Sequence, residues 1–542
     1  MNGKQPATVA QLWWNNEWLT GSLQTWGTAQ DPYFQWGSGE GLSGVALVFP
    51  VSIRLTDALG ETITDSSILP LSPGATTQGT VQFQCGFGGA VGPTQSRSPL
   101  PGPWNYTFHD LLHKSLLFFE AQKSGPSISV GSDRFAWRVD STMTDGADVG
   151  VDLTGGFFDA GDHVKFGFPM AFSVTNLAFG FVLWPTAFTS TGEDAYLLET
   201  IKWATDYFLK CHVSANAFYG QVGTGETDHA FWGPPELFSG SNGLPRPSAM
   251  CSSTCACSDL VAETAAALAA SSIVFKRYNA TYASILLSHA RTLFSFANTY
   301  QGTYTNCITD AESFYASSGY TDELTWAAAW IARASGVPAD VTTAVNLWSQ
   351  YNFAVSSWGY SWDNKYAGAA FLLWNMTSSA TYGNWMQQYI TAWLPGGSVP
   401  YTPGGLAYIQ PWGPLSFAMG ASLLTMAYAD SLASPPASYM NFAHSQIMYV
   451  TGQSNPRKMS YVVGYGPSPP WNIHHRGSHH STTNDINNPV NNVYQLVGAM
   501  VGGPDSSDGF QNLRTNYQQS EPTCNYNSVL VPVAARMFLK YG

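Results

Sequence analysis

Apolar and polar residues follow two different rhythms along this 542-residue chain. Before residue 92, "GVALVFPVSIRLTDALGETITD" and "ATTQGTVQFQCGFGG" alternate apolar and polar positions, punctuated by Gly, Pro and Ser. A period of two puts one strand face on a core. Residues 1–91 are therefore expected to form a small all-β, sandwich-like domain. "GPTQSRSPLPGP", 92–103, is dense in turn formers and reads as a linker. From 104 to 542 the period lengthens to that of a helix. "FHDLLHKSLLFFEAQKSG" has Gly125 just past its end, where a helix stops. "SDLVAETAAALAASSIVFKRY", "ATYASILLSHARTLFSFANTY", "DELTWAAAWIARAS", "KYAGAAFLLWNM", "YGNWMQQYITAWL", "LSFAMGASLLTMAYADSLA", "YMNFAHSQIMYVTG", "VYQLVGAMVGG" and "SVLVPVAARMFLKYG" continue the pattern. Residues 170–188 are apolar but contain Ser, Thr, Asn and Pro and lack basic flanks, so a buried helix is expected rather than a membrane span. About a dozen helices joined by long Gly- and aromatic-rich loops suggest paired helices in a ring, and the absence of sustained heptads excludes a coiled coil. Long loops in a compact domain usually carry function.

Composition narrows the ligand. Only 11% of residues are charged while 14% are aromatic, so rings can fill a large core and still line a groove. The net charge of −13, with no basic cluster, argues against nucleic acid and is compatible with a neutral ligand. No dinucleotide fingerprint or phosphate loop occurs in a strand–turn–helix context. "MNGKQPATVAQLWW" is not a signal peptide. Sequons at Asn105, Asn279 and Asn375, with the low charge, lean towards secretion, its leader lying outside this sequence. Seven cysteines leave at least one unpaired if none binds metal. "CSSTCAC", 251–257, is a loop that could hold a disulfide, and it lacks the second pair of a zinc ribbon.

Four constellations could carry chemistry. "FFDAGDHVKF" sets Asp159 and Asp162 three apart around Ala160 and Gly161 in an apolar setting. Neighbouring carboxylates repel, so one holds a proton or leans on a donor, which suits a base poised for water; two capping acids in a turn would read the same way. In "RTNYQQSEPTCNYNS", Glu521 lies between Tyr517 and Tyr526 before the last helix. Rings desolvate a carboxyl and raise its pKa, as a general acid needs, whereas a solvated loop Glu would not be so tuned. "WNIHHRGSHH" sets His475 and His479 four apart, a spacing compatible with metal ligands, but a donor-rich loop for a polyhydroxyl ligand fits it better. "SSGYTDELTW" carries Ser318, Gly319, Asp322 and Glu323, acids that either serve a helix dipole or offer hard oxygens to Ca²⁺.

The run from "LLHKSLLFFEAQKSG" through "WRVDSTMTDGADVGVDLTGGFFDAGDHVKFGFPMAFSVT" resembles the start of glycoside hydrolase family 9, the inverting endoglucanases. "FLKCH", "QVGTGETDHAFWGPPE", "VAETAAALAASSIVF", "SSGYTDELTWAAAW", "YTPGGLAYIQPWGPL", "SYVVGYGPSPPWNIHHRGS" and "VGGPDSSDGFQNLRTNYQQSEPTCNYN" follow in the family's order. The resemblance spans residues 104–542 and implies a mainly α fold, an (α/α)6 barrel, acting endo on β-1,4-glucosidic bonds of cellulose or related β-glucans. It implies Asp162 as the general base on water, Asp159 as its partner on that water and Glu521 as the general acid. Inversion needs acid and base roughly 6.5–9.5 Å apart. It further implies His229, His474 and Arg476 as substrate donors, with Trp358, Trp412, Tyr315 and Tyr526 as groove aromatics. Ser318, Gly319, Asp322, Glu323 and Asp363 match a structural calcium site of the family. Three departures stand out: Asn512 where an acid is usual, Pro522 and Cys524 after Glu521, and Cys257 in place of Gly.

Trp13, Trp14, Trp18, Trp26 and Trp36 crowd the β domain, which fits a carbohydrate-binding module or an immunoglobulin-like unit packed on the barrel. The expected partners are glucan chains, with neither nucleic acid nor membrane, and the expected state is a monomer. A non-catalytic sugar-binding barrel is the alternative from another class, and the three retained carboxyls favour the enzyme. The chain closes on its last helix with no trailing module, which leans towards endo action.

Overall fold

The computed structural model describes residues 106–542, apart from 127–133, 136 and 239–243, together with the backbone of five strands nearer the N-terminus. The chain divides into two compact units, Met1–Thr94 and the remainder, save that 128–132 go with the first. In the first unit β1 (Ala7–Trp14), β2 (Glu17–Thr25), β3 (Pro32–Gln35), β4 (Val51–Asp57) and β5 (Thr62–Ile68) form one antiparallel sheet, ordered β3-β2-β1-β4-β5. Residues 51–57 and 62–65 of the first alternating run thus belong to the β4–β5 hairpin, and its residues 44–50 and 58–61 lie outside the described residues. The second alternating run, the 92–103 linker, Asn105 and the side chains of the five early tryptophans lie outside the described residues.

Among the described residues the second unit has twelve long helices. They are α1 (Phe108–Gln122), α2 (Gly167–Leu183), α3 (Asp194–Cys211), α4 (Ser258–Lys276), α5 (Ala280–Thr299) and α6 (Thr321–Ser335). Then follow α7 (Pro338–Tyr351), α8 (Tyr366–Thr377), α9 (Ala380–Trp393), α10 (Pro414–Asp430), α11 (Ala437–Val450) and α12 (Cys524–Tyr541). The even helices touch in a closed ring, α2 to α4 to α6 to α8 to α10 to α12 and back to α2, and the odd ones pack outside it. This is the expected (α/α)6 barrel. Burial separates the layers by composition. The inner α4 and α10 are apolar on every side and buried almost throughout, whereas the outer α5 buries only the stripe Ala283, Leu286, Ala290, Leu293, Phe296 and Ala297. The apolar 170–188 run falls as expected: α2 is buried from Gly167 to Phe181, and the chain then turns by 86° into the short helix Pro185–Thr191.

The two ends of the barrel differ. Inner-to-outer turns are short, for example 277–279, 336–337 and 378–379. Residues in the left-handed conformation, Gly336 and Ser378, end α6 and α8, and Pro338 starts α7 at once. Asn279 caps α5, its side chain accepting from Tyr282 N at 2.9 Å. Outer-to-inner loops, such as 123–166, 212–257 and 451–523, are long and gather over the N-terminal ends of the inner helices. Two of these loops, 123–166 and 212–257, are stitched by a small antiparallel sheet, β6 (Lys165–Phe166), β7 (Ala217–Val222) and β8 (Ser248–Ser252).

Two corrections concern helices. α3 and α7 are not marked by the periodicity reading, whereas "VYQLVGAMVGG", read as a helix, is extended loop with Met500 bridged to Val462 and Val501 to Pro522. Gly498 there has φ +87°, and an added Cβ would lie 1.6 Å from Lys114 O, so the segment's apolar residues are buried by close backbone packing and not by a helix face. The "CSSTCAC" loop holds two disulfides, Cys251–Cys257 and Cys255–Cys307; Cys211 and Cys524 are free and buried.

Candidate active site

The "DAGD" turn is held by its own acids and by the barrel beneath. Asp162 Oδ1 accepts from Ala160 N and its Oδ2 from Val164 N, both at 3.1 Å, and Asp159 N donates to Val164 O at 3.1 Å. Asp162 therefore does cap a turn, and the same two amide donors favour its ionised form. Gln122, the last residue of α1, donates to Phe158 O at 3.2 Å and Ala160 O at 2.7 Å. Its own oxygen accepts from His475 Nε2 at 2.8 Å, while His475 Nδ1 accepts from Ser478 N at 2.9 Å. Gly161 is required by close approach: a Cβ would lie 2.1 Å from His474 O. Its N donates to Glu521 Oε1 at 3.0 Å and its O accepts from Arg476 N at 2.9 Å. One glycine thus ties Glu521 and the "HHR" segment, distant in sequence, to the two aspartates.

Asp159 and Asp162 are buried and Glu521 is half-buried. Burial, then the neighbouring Asp162 charge, pushes Asp159 well above the usual carboxylate range. Its Oδ2 accepts from Tyr315 OH, and its Oδ1 has no protein partner. Asp162 is raised by burial and by Asp228, and held back by His229, Arg476 and His163. Burial and the Asp162 charge raise Glu521 to about 8, against the opposing pull of Arg476 and the Gly161 amide.

Every residue implied by the resemblance sits on an outer-to-inner loop or at the head of an inner helix, so the fold brings them to one end of the barrel. His229, about 43% exposed, ends the short helix Gly225–His229. His474 is buried, with Nδ1 bonded to Arg514 O at 2.8 Å, and burial lowers its pKa to about 3, so the ring is neutral at neutral pH. Arg476 is buried over the Trp232 ring, its Nε donating to Phe231 O at 2.9 Å. Trp358 and Trp412 are 43% and 46% exposed, large fractions for rings in so well buried a barrel, and they suit stacking on a sugar. Tyr315 is not a free platform, being buried on Asp159, whereas Tyr526 is half-buried against Gly413, where a Cβ would meet its ring at 2.5 Å.

Other readings are settled by bonding. His475 and His479 do not form a metal pair, since His479 Nδ1 accepts from Trp232 Nε1 at 2.5 Å and its Nε2 bonds Pro489 O at 2.7 Å, and both His475 nitrogens are used as described. Asp508, the nearest acid before Glu521, is occupied by Tyr449 OH at 2.5 Å and Gly404 N at 2.6 Å. Cys257 pairs with Cys251, and Cys524 opens α12 with its N on Asp159 O at 2.9 Å. Asn512 accepts from Trp471 N at 3.3 Å on the exposed rim. Sequence reasoning missed Asp228, which is fully buried, and Trp232. Their signal was an acid and a ring in the apolar run "DHAFW". Tyr517, noted only as a neighbour of Glu521, is 51% exposed and joins Trp412 and His474 in one line of rings. A separate open cavity of about 790 Å³, lined by residues such as Val355, Asn384 and Gln388, includes none of the three acids.

A second acid cluster lies at the head of α6. Asp322 and Glu323 are buried, and Asp363 Oδ1 accepts from Ser318 N at 2.8 Å. Lys365 reaches Glu323 at 3.2 Å and Glu263 at 3.6 Å. Burial, then Asp322, pushes Glu323 well above its ordinary range, and burial raises Asp363 to about 6. Glu323 Oε2 is buried without a partner. Lys365 leaves this cluster under-neutralised, so its hard oxygens fit a divalent cation.

The family model "Glycosyl hydrolase family 9" matches residues 108–534. The chain belongs to this family. It is 42% identical over 455 residues to Endoglucanase B of Cellulomonas fimi, covering 81% of this chain but only 42% of that protein. Endoglucanase 14 of Arabidopsis thaliana is 41% identical over 78% of this chain and 91% of its own length. The solved endoglucanase of the termite Nasutitermes takasagoensis matches with TM-score 0.76 and 42% identity, over 81% of this chain and all of that one. The endoglucanase CelQ of Clostridium thermocellum, solved with cellotetraose, matches with TM-score 0.74 and 34% identity, over 81% and 71% of the two chains.

Proposed function

We propose that the protein is an endoglucanase that cleaves β-1,4-glucosidic bonds by a single inverting displacement. The observation that carries this is the Gly161 turn, which links a half-buried Glu521 by a hydrogen bond to the loop bearing two buried aspartates. Glu521, with its pKa at about 8, stays protonated at neutral pH and donates to the leaving glycosidic oxygen. Asp162, steadied by two amides, takes a proton from water, and the unpartnered Asp159 Oδ1 helps to orient that water. Water oxygen then bonds the anomeric carbon as the C–O bond to the leaving sugar breaks. A neutral His474, the Arg476 guanidinium and exposed rings suit an uncharged polyhydroxyl chain, as the cellotetraose in the CelQ structure also supports. The direct test is the product anomer: cleavage of a β-glucan should release the α-anomer first, and initial release of the β-anomer would reject the single displacement.

The acid assignment also fixes one pH limit. Glu521 must keep its proton, so kcat/KM should fall as pH rises through about 8. Asp162 must lose its proton, so the acidic limb should lie above the pH of an ordinary aspartate. Both apparent values belong to the coupled acids together. A pH–rate profile on a soluble β-glucan measures them.

We further propose that Ser318, Gly319, Asp322, Glu323 and Asp363 hold a Ca²⁺ ion, which would neutralise the acids and fix the loop carrying Tyr315 to the head of α6. Chelation should lower the melting temperature and added Ca²⁺ should restore it by mass action, whereas Zn²⁺ should not. A melting curve indifferent to chelator would return these acids to Lys365 and the helix dipole. Two disulfides among the described residues support the expectation of secretion.

A further inference from the structure

Asp228 carries a full charge in a place the mechanism above does not use. It lies on the short helix Gly225–His229 and is completely buried. Its Oδ1 accepts from His163 N at 3.0 Å, the residue directly after Asp162. Three cationic or cation-forming groups surround it: His163 Nδ1 at 3.5 Å, His229 Nδ1 at 3.5 Å and Arg476 Nη2 at 3.9 Å. Its Oδ2 has no hydrogen-bond partner, so what holds the group there is charge.

Arg476 is clamped by the segment that Asp228 begins. Phe231 O takes its Nε, the Trp232 ring lies 4.7 Å from its guanidinium carbon, and Asp228 faces its Nη2. Its Nη1 is buried and unpartnered. Among the described residues Arg476 forms its ion pair with Asp228 and none with Asp159, Asp162 or Glu521. A buried guanidinium without a counter-charge would move onto the nearest carboxylate. Here the nearest alternatives are the acids that must react.

We infer that Asp228 is a positioning residue for the proposed hydrolysis: a fixed anion that takes up the charge of Arg476 and keeps that guanidinium beside the base and the acid without pairing to either. The donor Nη1 is then left for a substrate hydroxyl. The inference rests on the reading of Asp162 and Glu521 as base and acid. The charged and titratable groups around the carboxylate are His163, His229, Arg476, Asp162 and Glu521. Burial alone would raise Asp228, but Arg476, His163 and His229 together hold it at about 2, so it remains an anion through the working range.

The test is Asp228→Asn, which keeps the acceptor for His163 N and removes only the charge. Asp228 raises the pKa of both Asp162 and Glu521, and Arg476 lowers both. Without the anion both limbs of the kcat/KM profile should therefore move to lower pH, and kcat at neutral pH should fall several-fold. Arg476→Gln should move both limbs the opposite way, and the double variant should return the profile close to its original position. A profile that loses height in Asp228→Asn with neither limb moved would overturn the inference, because a merely structural role predicts that outcome. If Asp228→Asn fails to fold, Arg476→Gln alone decides: limbs that stay in place refute the charge balance. Full activity in Asp162→Ala or Glu521→Gln would instead refute the underlying assignment, which keeps the two failures distinct.

Discussion

Replacing Glu521 with Gln is expected to slow cellulose hydrolysis ~10²–10⁴-fold. Gln keeps the acceptor that Gly161 N uses at 3.0 Å, so the turn should survive. What it cannot supply is a proton. The 4-hydroxyl of glucose is a poor leaving group and needs one; dinitrophenolate does not. The loss should therefore be far smaller on an activated aryl cellobioside, and for that substrate the alkaline limb near pH 8 should disappear. Steady-state rates on the two substrates measure the difference. Equal losses on both would remove Glu521 from the acid role, and Asp508 could not take it, since both its oxygens are already engaged.

Replacing Asp162 with Ala is expected to lower turnover at least ~10²-fold, with substrate binding little changed. The variant loses the acceptor that draws a proton from water, and also two bonds that close the turn. Azide separates these effects. It is small, anionic and needs no deprotonation, so it should restore rate by attacking from the vacated side and give an α-glycosyl azide from a β-linked substrate. Restored rate with that anomer supports both the base and inversion. Turnover like that of the unmodified protein would reject the assignment, and lost rate without rescue would point to a collapsed turn.

Chemistry was more legible than geometry. Asp159, Asp162 and Glu521 could be named as candidates through the family resemblance that the "DAGD" segment carries, whereas spacing alone left capping acids and a solvated loop Glu open. The donors His229, His474 and Arg476 came from the same resemblance, and the fold does bring their loops to one end of the barrel. Asp228 was passed over because two of the three groups around it, His163 and Arg476, come from parts of the chain distant in sequence. Tyr315 was expected to stack on sugar; its place under Asp159 is a matter of which way one loop packs.

By itself the sequence determined the number and character of the layers. Runs apolar on every side, such as α4 and α10, lie in the inner ring, and the single-striped α5 lies outside it, because burial matches the width of the apolar face. The sequence could not determine "VYQLVGAMVGG", whose apolar residues satisfy a helical period yet are buried in a loop by the close approach of Gly498 to α1. Nor could it determine which long loop meets which. Only closure of the ring, α12 against α2, carries Glu521 to Gly161 across 360 residues of chain, and only there are the acids desolvated together. Proton affinity in this site comes from burial and from neighbouring charges, and both exist only once the barrel has closed.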